Sequence, residues 1–499
     1  MMRRLSQLNT PPGALIGAAA GNAAGILHLG LGNFHRAHAA VHTALALAAE
    51  PGDWGIHGFA NRSRDVVSAM RAQDGRYCVL ELSGRDRRAG VVDVHRGLGV
   101  LADDPAAFVA AAADPALRIL TLTVSEVGYC RSARTGTLDV GLDDVRADLA
   151  NPANPRSTIG LIARGLAVRA GSGAPITVLS CDNLQSNGQA TRAVLTEFLH
   201  ASRASGDVLS FVDNQVSFPN SMVDRIVPAT TDQTRADVAG LLGLDDRCPV
   251  PAEDFSMWVL EDDFAGGRPA WERAGAVFSD EVEAYELVKL RLLNGSHSLI
   301  AYLGVLDGQA TIADAWAQDF VKQAVNTCIA QEYLPTVKLP SGFDVDAYLA
   351  SLSYRWANAA LRHRTTQVGA DGSVKLLQRI PEPAQIALRA GRVPHLLALT
   401  VAGWICTTAP PPGFEPGPLA ADIREPARQR LAEVTRGAVG ARDHAIAVLD
   451  NGFLPDALTA HSAFTDRVAD LVVTIARRGV RAAAHQATTD ASSAERTVS

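Results

Sequence analysis

Short apolar runs alternate with helical stretches over the first 280 or so residues, and beyond Asp280 the pattern is helical almost without a break to about residue 480. Four runs read as buried strands: Gly25 to Leu29, Trp54 to Ala60, Ile119 to Val124 and Pro175 to Ser180. Each is followed by turn residues and then by helical periodicity, which predicts βα units of a doubly wound parallel sheet. Residues 76–97 look like a β-rich elaboration and 103–113 like a helix. Ser217 to Ile226 reads as a further strand and loop, and Gly266-Gly267-Arg268-Pro269 as a turn between short strands. The helical part is punctuated at Pro335, Pro340, Pro381, Pro394, Pro410 to Pro412 and Pro455. The predicted architecture is α/β: a Rossmann-type domain with insertions over 1–280 and a mainly α-helical domain over 281–484. The small polar tail 485–499 is expected to be disordered.

The most informative stretch opens the helical part, from Glu286 to Tyr302. On an α-helix at ~100° per residue, Lys289 lies at ~0°, Glu286 at ~60°, His297 at ~80° and Asn294 at ~140°. Four polar side chains then share one arc. The chain has four lysines (289, 322, 338, 375) among 46 basic residues, so arginine provides the surface charge. A lysine differs from arginine in being able to lose its proton near neutral pH. Between apolar Val288 and Leu290, desolvation would favour that loss. Lys289 is thus a candidate general base. The competing reading is an amphipathic helix with a wet face.

Other candidates follow the strands. Gly30-Leu31-Gly32 ends the first, followed by Asn33, Phe34, His35 and Arg36. Such a turn lets backbone approach a pyrophosphate, although His35 stands where a third glycine is usual. Arg36 is either a phosphate contact or an exposed side chain. After the second strand, Asp65 favours NAD and Arg64 a 2′-phosphate, which leaves NADP open. Glu126 and Asn183 follow the third and fourth runs, where ligands gather in such sheets. Asn183 reads equally as a helix cap. Asp224-Arg225 has the look of a local ion pair.

The net charge of -7, with interspersed signs, points to neither nucleic acid nor a membrane surface as partner. No apolar run reaches the ~20 residues of a membrane span. Six scattered cysteines (78, 130, 181, 248, 328, 406) indicate reduced thiols in a cytoplasmic protein, with no zinc framework. The N-terminal run from Ala14 is broken by Pro11-Pro12-Gly13 from the preceding basic residues and is expected to be a core strand, not a leader.

Taken together, Gly30-Leu-Gly-Asn-Phe-His-Arg-Ala-His, Ser180-Cys-Asp-Asn, Met222-Val-Asp-Arg-Ile and Lys289-Leu-Arg-Leu-Leu-Asn-Gly-Ser-His resemble the polyol-specific long-chain dehydrogenases over about residues 25 to 480. The K-x-x-x-x-N-x-x-H element is far more specific than the glycine turn. The resemblance implies a metal-independent NAD- or NADP-dependent oxidoreductase, monomeric or a small homo-oligomer. It would interconvert a secondary alcohol of a linear polyol or aldonate with the ketose or ketouronate. It implies Lys289 as base, Asn183, Asn294 and His297 on the reacting oxygen, Glu126 and Glu286 on a proton path, and Asp224 and Lys375 at the substrate. Arg362-His363-Arg364-Thr365, Gln367, Asp371-Gly372-Ser373 and Lys375 to Arg379 look closer to the fructuronate reductase branch, with Arg362, Arg364 and Lys375 as partners for a uronate carboxylate. D-mannonate/D-fructuronate is therefore the leading substrate pair, with mannitol/fructose or arabinitol as alternatives. A nucleotide-binding protein without activity is the rival of another class.

Overall fold

The computed structural model describes residues 3–5, 15–18, 23–84, 86–132 and 135–495. The chain divides into two compact units, Met1–Glu283 and Ala284–Ser499.

In the first unit, six parallel strands form one sheet: β1 (Ala24–Leu29), β2 (Gly55–Ala60), β3 (His95–Val100), β4 (Ile119–Leu122), β5 (Ile176–Ser180) and β6 (Val216–Ser217). Their spatial order is β6-β5-β4-β1-β2-β3. That is the doubly wound order, and it reverses between β1 and β4, where ligands bind in such sheets. Near-continuous apolar sequence suits strands covered on both faces, and β4 and β5 are buried along their whole length. Two central-sheet strands were not resolved as such from sequence. β3 straddles the end of the stretch 76–97 read as elaboration, and β6 is only two residues long. The elaboration itself is the antiparallel pair Tyr77–Leu82 and Arg87–Asp93, flanked by Val250–Glu253 and Leu15–Ala18. The N-terminal run is therefore a strand of this second sheet, not of the central one. Its remaining residues, including 11–14, lie outside the described positions.

The second unit is helical around two apolar segments. The helix α4 (Ser296–Leu306) is buried over its first ten residues, and α7 (His395–Thr408) over all but His395. Helices apolar on every side belong in a core. No helix among the described residues is long and apolar enough to cross a membrane. The segment expected to be a disordered tail is instead helical, Val480–Glu495; residues 496–499 lie outside the described positions. Composition misled here. Val480, Ala483, Ala484, Ala487 and Ala491 recur at helical spacing and are buried, so small side chains gain close packing that their low hydropathy does not announce.

Candidate active site

The turn after β1 is built for backbone exposure. Gly30 has φ +109°, and a Cβ there would lie 2.1 Å from the Thr123 carbonyl oxygen. Gly32, by contrast, is open: a Cβ would meet only the Gly30 carbonyl, at 3.7 Å. That bare backbone face beside the switch point fits a pyrophosphate. The short helix α1 (Asn33–Ala37) is drawn onto β1 by histidine instead of glycine. The His35 ring stacks flat on His28, with centroids 3.3 Å apart, and its Nε2 is 3.2 Å from Nε2 of His95. A planar ring lying flat does the work of a missing side chain in bringing helix and strand close. Burial keeps all three imidazoles neutral, with His28 lowered to about 3.

Arg36 does not reach outward from this turn. It is buried and donates to the carbonyls of Cys248 (2.6 Å) and Gly32 (3.3 Å) and to Asn33 Oδ1 (2.6 Å). It shapes the turn from behind, which argues against a phosphate contact. Asn33 in turn donates weakly to Pro228 O and Thr230 Oγ1, and Phe34 stacks on His38. After β2, the exposed Arg64 pairs with Asp103 at 2.5 Å, while Asp65 stands exposed in the first helical turn.

At the ends of β4 and β5, the structure brings the loops of Glu126 and Asn183 together. Asp182 accepts from Val124 N (2.8 Å), Ser125 N (3.1 Å) and the Tyr129 hydroxyl (2.9 Å). Asn187, the first residue of α2 (Asn187–Ala201), donates to Ser221 O at 2.8 Å and accepts from Ser221 N at 2.9 Å. Glu126 and Asn183 are exposed at these ends, and Asp224 is buried at the end of the strand Ser221–Asp224. Asp182, inside the Ser180-Cys-Asp-Asn stretch, and Asn187 were given no role from sequence, since anchors of this kind look like any loop polar residue. Arg225 is not the local partner of Asp224 that the sequence suggested. Its guanidinium pairs with Glu81 at 2.7 Å and donates to Glu253 O and Ala37 O, tying down the end of α1.

In the second unit, the Lys289 stretch is not a plain α-helix. The helix α3 (Val282–Val288) passes into a π-turn over Lys289–Gly295 and then into α4. On an α-helix residue i+5 lies ~140° around from residue i. In a π-turn the i→i+5 hydrogen bond brings these two residues onto one side. Lys289 and Asn294 are i and i+5, so the irregularity gathers what a straight helix would splay apart. His297, three residues after Asn294, then shares its face. Lys289 is 9% exposed and His297 7%. His297 Nε2 has no hydrogen-bond partner among the described residues. Burial, then His363, Arg355, Arg379 and Lys375, hold this imidazole well below its usual pKa, so it is neutral. His363 meets it edge-on at 5.6 Å and Trp356 at 6.1 Å. Glu286 is half-buried, one turn before Lys289.

The model for the mannitol dehydrogenase Rossmann domain matches residues 24–273, and that for the mannitol dehydrogenase C-terminal domain matches 281–434. The chain belongs to the mannitol dehydrogenase family. It is 36% identical over 462 residues to D-mannonate oxidoreductase of Escherichia coli, covering 91% of this chain and 94% of that one. It is 38% identical to mannitol 2-dehydrogenase of Cereibacter sphaeroides, over 76% of this chain and 80% of the relative. The solved Pseudomonas fluorescens mannitol 2-dehydrogenase, a ternary complex with NAD and D-mannitol, superposes with a TM-score of 0.86 at 30% identity, over 97% of this chain and 99% of that one. Like its relatives in this family, the protein is an oxidoreductase acting on alcohol groups.

Not all of the residues proposed for a carboxylate sit together in this mannitol dehydrogenase family member. Arg362 and Arg364 are exposed, and Arg364 pairs with Asp422 at 3.4 Å. Lys375 alone of the three is an electrostatic neighbour of both His297 and His363. Arg355, which joins it around His297, was not singled out from sequence, and Arg379, also there, only closed the Lys375–Arg379 stretch and was given no role. Arg355 lies on the helix α5 (Val345–Trp356) and Arg379 at the end of the helix Gly372–Arg379.

Proposed function

We propose that this protein reduces a keto group of a linear sugar acid with NADH, and oxidises the corresponding alcohol in reverse, with D-fructuronate and D-mannonate as the pair. The observation that supports the reading is the π-turn over Lys289–Gly295, whose i→i+5 geometry favours Lys289 and Asn294 on one side. The neutral amine of Lys289 takes the hydroxyl proton in oxidation and, as ammonium, returns it in reduction. The Asn294 carboxamide donates to the oxygen as negative charge develops on it. His297, neutral and with a free Nε2, gives a second hydrogen bond without adding a charge. Asn183 is the further carboxamide of the family pattern, Glu126 and Glu286 its proton path, and Asp224 a polar substrate contact. The nicotinamide cofactor, when bound, accepts or donates the hydride. Gly30, Gly32, Asn33 and Phe34 would hold its pyrophosphate side, and Asp65 the adenosine ribose. NAD is favoured over NADP because Arg64 is already paired with Asp103.

A sugar acid is favoured over a neutral polyol by the cationic surroundings of His297, where Arg355, Arg379 and Lys375 all bear on one imidazole. The similarity to D-mannonate oxidoreductase over nearly the whole of both chains supports the same choice. The neutral pair mannitol and fructose is the second reading, supported by the structural match to mannitol 2-dehydrogenase. Turnover of NADH and NADPH with fructuronate and fructose decides among them. In the same assay Lys289→Ala should lower kcat by about 10²–10⁴-fold and leave NADH affinity near that of the parent. A variant retaining most of its activity would remove Lys289 as base.

A further inference from the structure

The residue Arg379 closes the helix α6 (Gly372–Arg379) and lies against the π-turn. Its Nη1 donates to the carbonyl oxygen of Asn294 at 3.0 Å and to Ser298 Oγ at 2.7 Å. Those acceptors are four residues apart and bracket His297. One guanidinium nitrogen therefore holds the segment that carries two of the three aligned side chains. The segment needs holding from outside, because a π-turn interrupts the regular i→i−4 ladder at the place where it widens. A bond from a charged donor to a carbonyl is about twice as strong as a neutral one.

The helix that presents Arg379 is itself fixed at its far end. Ser373 N donates to Glu425 at 3.1 Å, and the Ser373 hydroxyl donates to the same carboxylate, which also accepts from Trp404 Nε1 at 3.0 Å. At Gly372 a Cβ would fall 2.4 Å from both the Trp404 ring and the Tyr302 hydroxyl, so α6 begins hard against the core. Lys375 sits one turn before Arg379 on the same face. The helix is thus a strut, seated on Glu425 and Trp404, that carries Lys375 and ends on the backbone of Asn294.

We propose that Arg379 is a positioning residue: it fixes the Asn294–Ser298 backbone so that the Asn294 carboxamide and the His297 imidazole are held ready for the reacting oxygen. The proposal rests on the reading of this face as the reductase site. Lysine at 379 retains a charged donor and restores part of the clamp, whereas methionine keeps the bulk and loses both bonds.

Backbone hydrogen exchange over residues 289–298, followed by mass spectrometry on the full-length protein, reads the clamp without any substrate. Arg379→Met is expected to exchange there at least about tenfold faster than the parent, and Arg379→Lys at an intermediate rate. With NADH and fructuronate, Arg379→Met should lose about 10–100-fold in kcat, as a misplacement of about 1 Å does. NADH affinity and the KM for neutral fructose should stay within about threefold, and Arg379→Lys, which keeps the charge, should recover most of the loss in kcat. Parental exchange and parental kcat in Arg379→Met would overturn the proposal. Should Arg379→Met fail to fold, Ser298→Ala and Arg379→Lys take its place, and both matching the parent in exchange and kcat would be equally decisive. Lys289→Ala is run alongside. If it keeps its turnover, the functional reading falls, while the exchange data still decide the role of Arg379.

Discussion

The glycine after Asn294 offers the sharpest test of how the π-turn is held. A Cβ at position 295 would stand 2.4 Å from the Tyr333 hydroxyl oxygen, 2.5 Å from its Cζ and 3.0 Å from its Cε2. Tyr333 is fully buried and ends a second π-turn, Ile329–Tyr333, so its ring has little room to retreat. Gly295→Ala therefore forces either the ring or the turn to move. Overpacking of this kind costs about 1–3 kcal/mol. In a unit of some 200 residues that corresponds to a fall in Tm of roughly 2–12 °C. If the turn gives way instead of the ring, Asn294 moves with it and kcat falls by about 10²-fold. Calorimetry of Gly295→Ala, Tyr333→Ala and the double variant separates the two costs. Tyr333→Ala alone leaves a cavity and should cost about 3–5 kcal/mol. In the double variant the alanine methyl has space, so the combined loss should fall short of the sum by about 1 kcal/mol or more. A Gly295→Ala protein with parental Tm and kcat, or strictly additive losses, would refute the close packing of the two π-turns.

Two further outcomes follow from the charges. The imidazoles of His28 and His42 are lowered by burial to about 3 and about 4, below the ordinary 6.5. The unfolded chain therefore takes up protons first as pH falls, and the stability these histidines contribute above pH 6.5 is lost towards pH 4, about 2 kcal/mol each by pH 5. Glu332, raised to about 7 by burial, acts in the opposite sense between pH 4.5 and 7, but it is one group against several. A urea midpoint that does not fall between pH 7 and pH 5 would contradict this balance. For substrate choice, Lys375→Met should reduce kcat/KM for fructuronate at least about tenfold more than for fructose, whereas Arg364→Ala, removing an exposed ion pair, should change either by less than about twofold. Equal losses for the two substrates in Lys375→Met would remove Lys375 from carboxylate recognition.

What could be read from the sequence depended on whether a residue's work is local or distant. The strand, turn and helix around Gly30 and Gly32 were legible because apolar runs and glycine spacing are local signals, and the helical second unit was legible from periodicity alone. The four polar residues from Glu286 to His297 were legible as a group, but their geometry was not. A uniform 100° step puts Asn294 on the shoulder of the arc, and nothing local announces that the chain widens to an i→i+5 turn just there. What packs against that turn lies 38 residues further on, in the Tyr333 ring beside Gly295, and 85 residues further on, in Arg379 on the Asn294 carbonyl. Arg36 and Arg364 failed for the same reason in opposite directions. One looked available and is bound to Cys248 O, 212 residues away; the other looked like a substrate ligand and is paired on the surface with Asp422. Hence the proposed lysine–asparagine–histidine set was easier to name than the residues packed behind it. A lysine–asparagine–histidine set must keep its side-chain chemistry, and that shows in the letters of the chain. A strut such as α6 needs only to arrive at the right carbonyl, and that is visible only once the chain has folded.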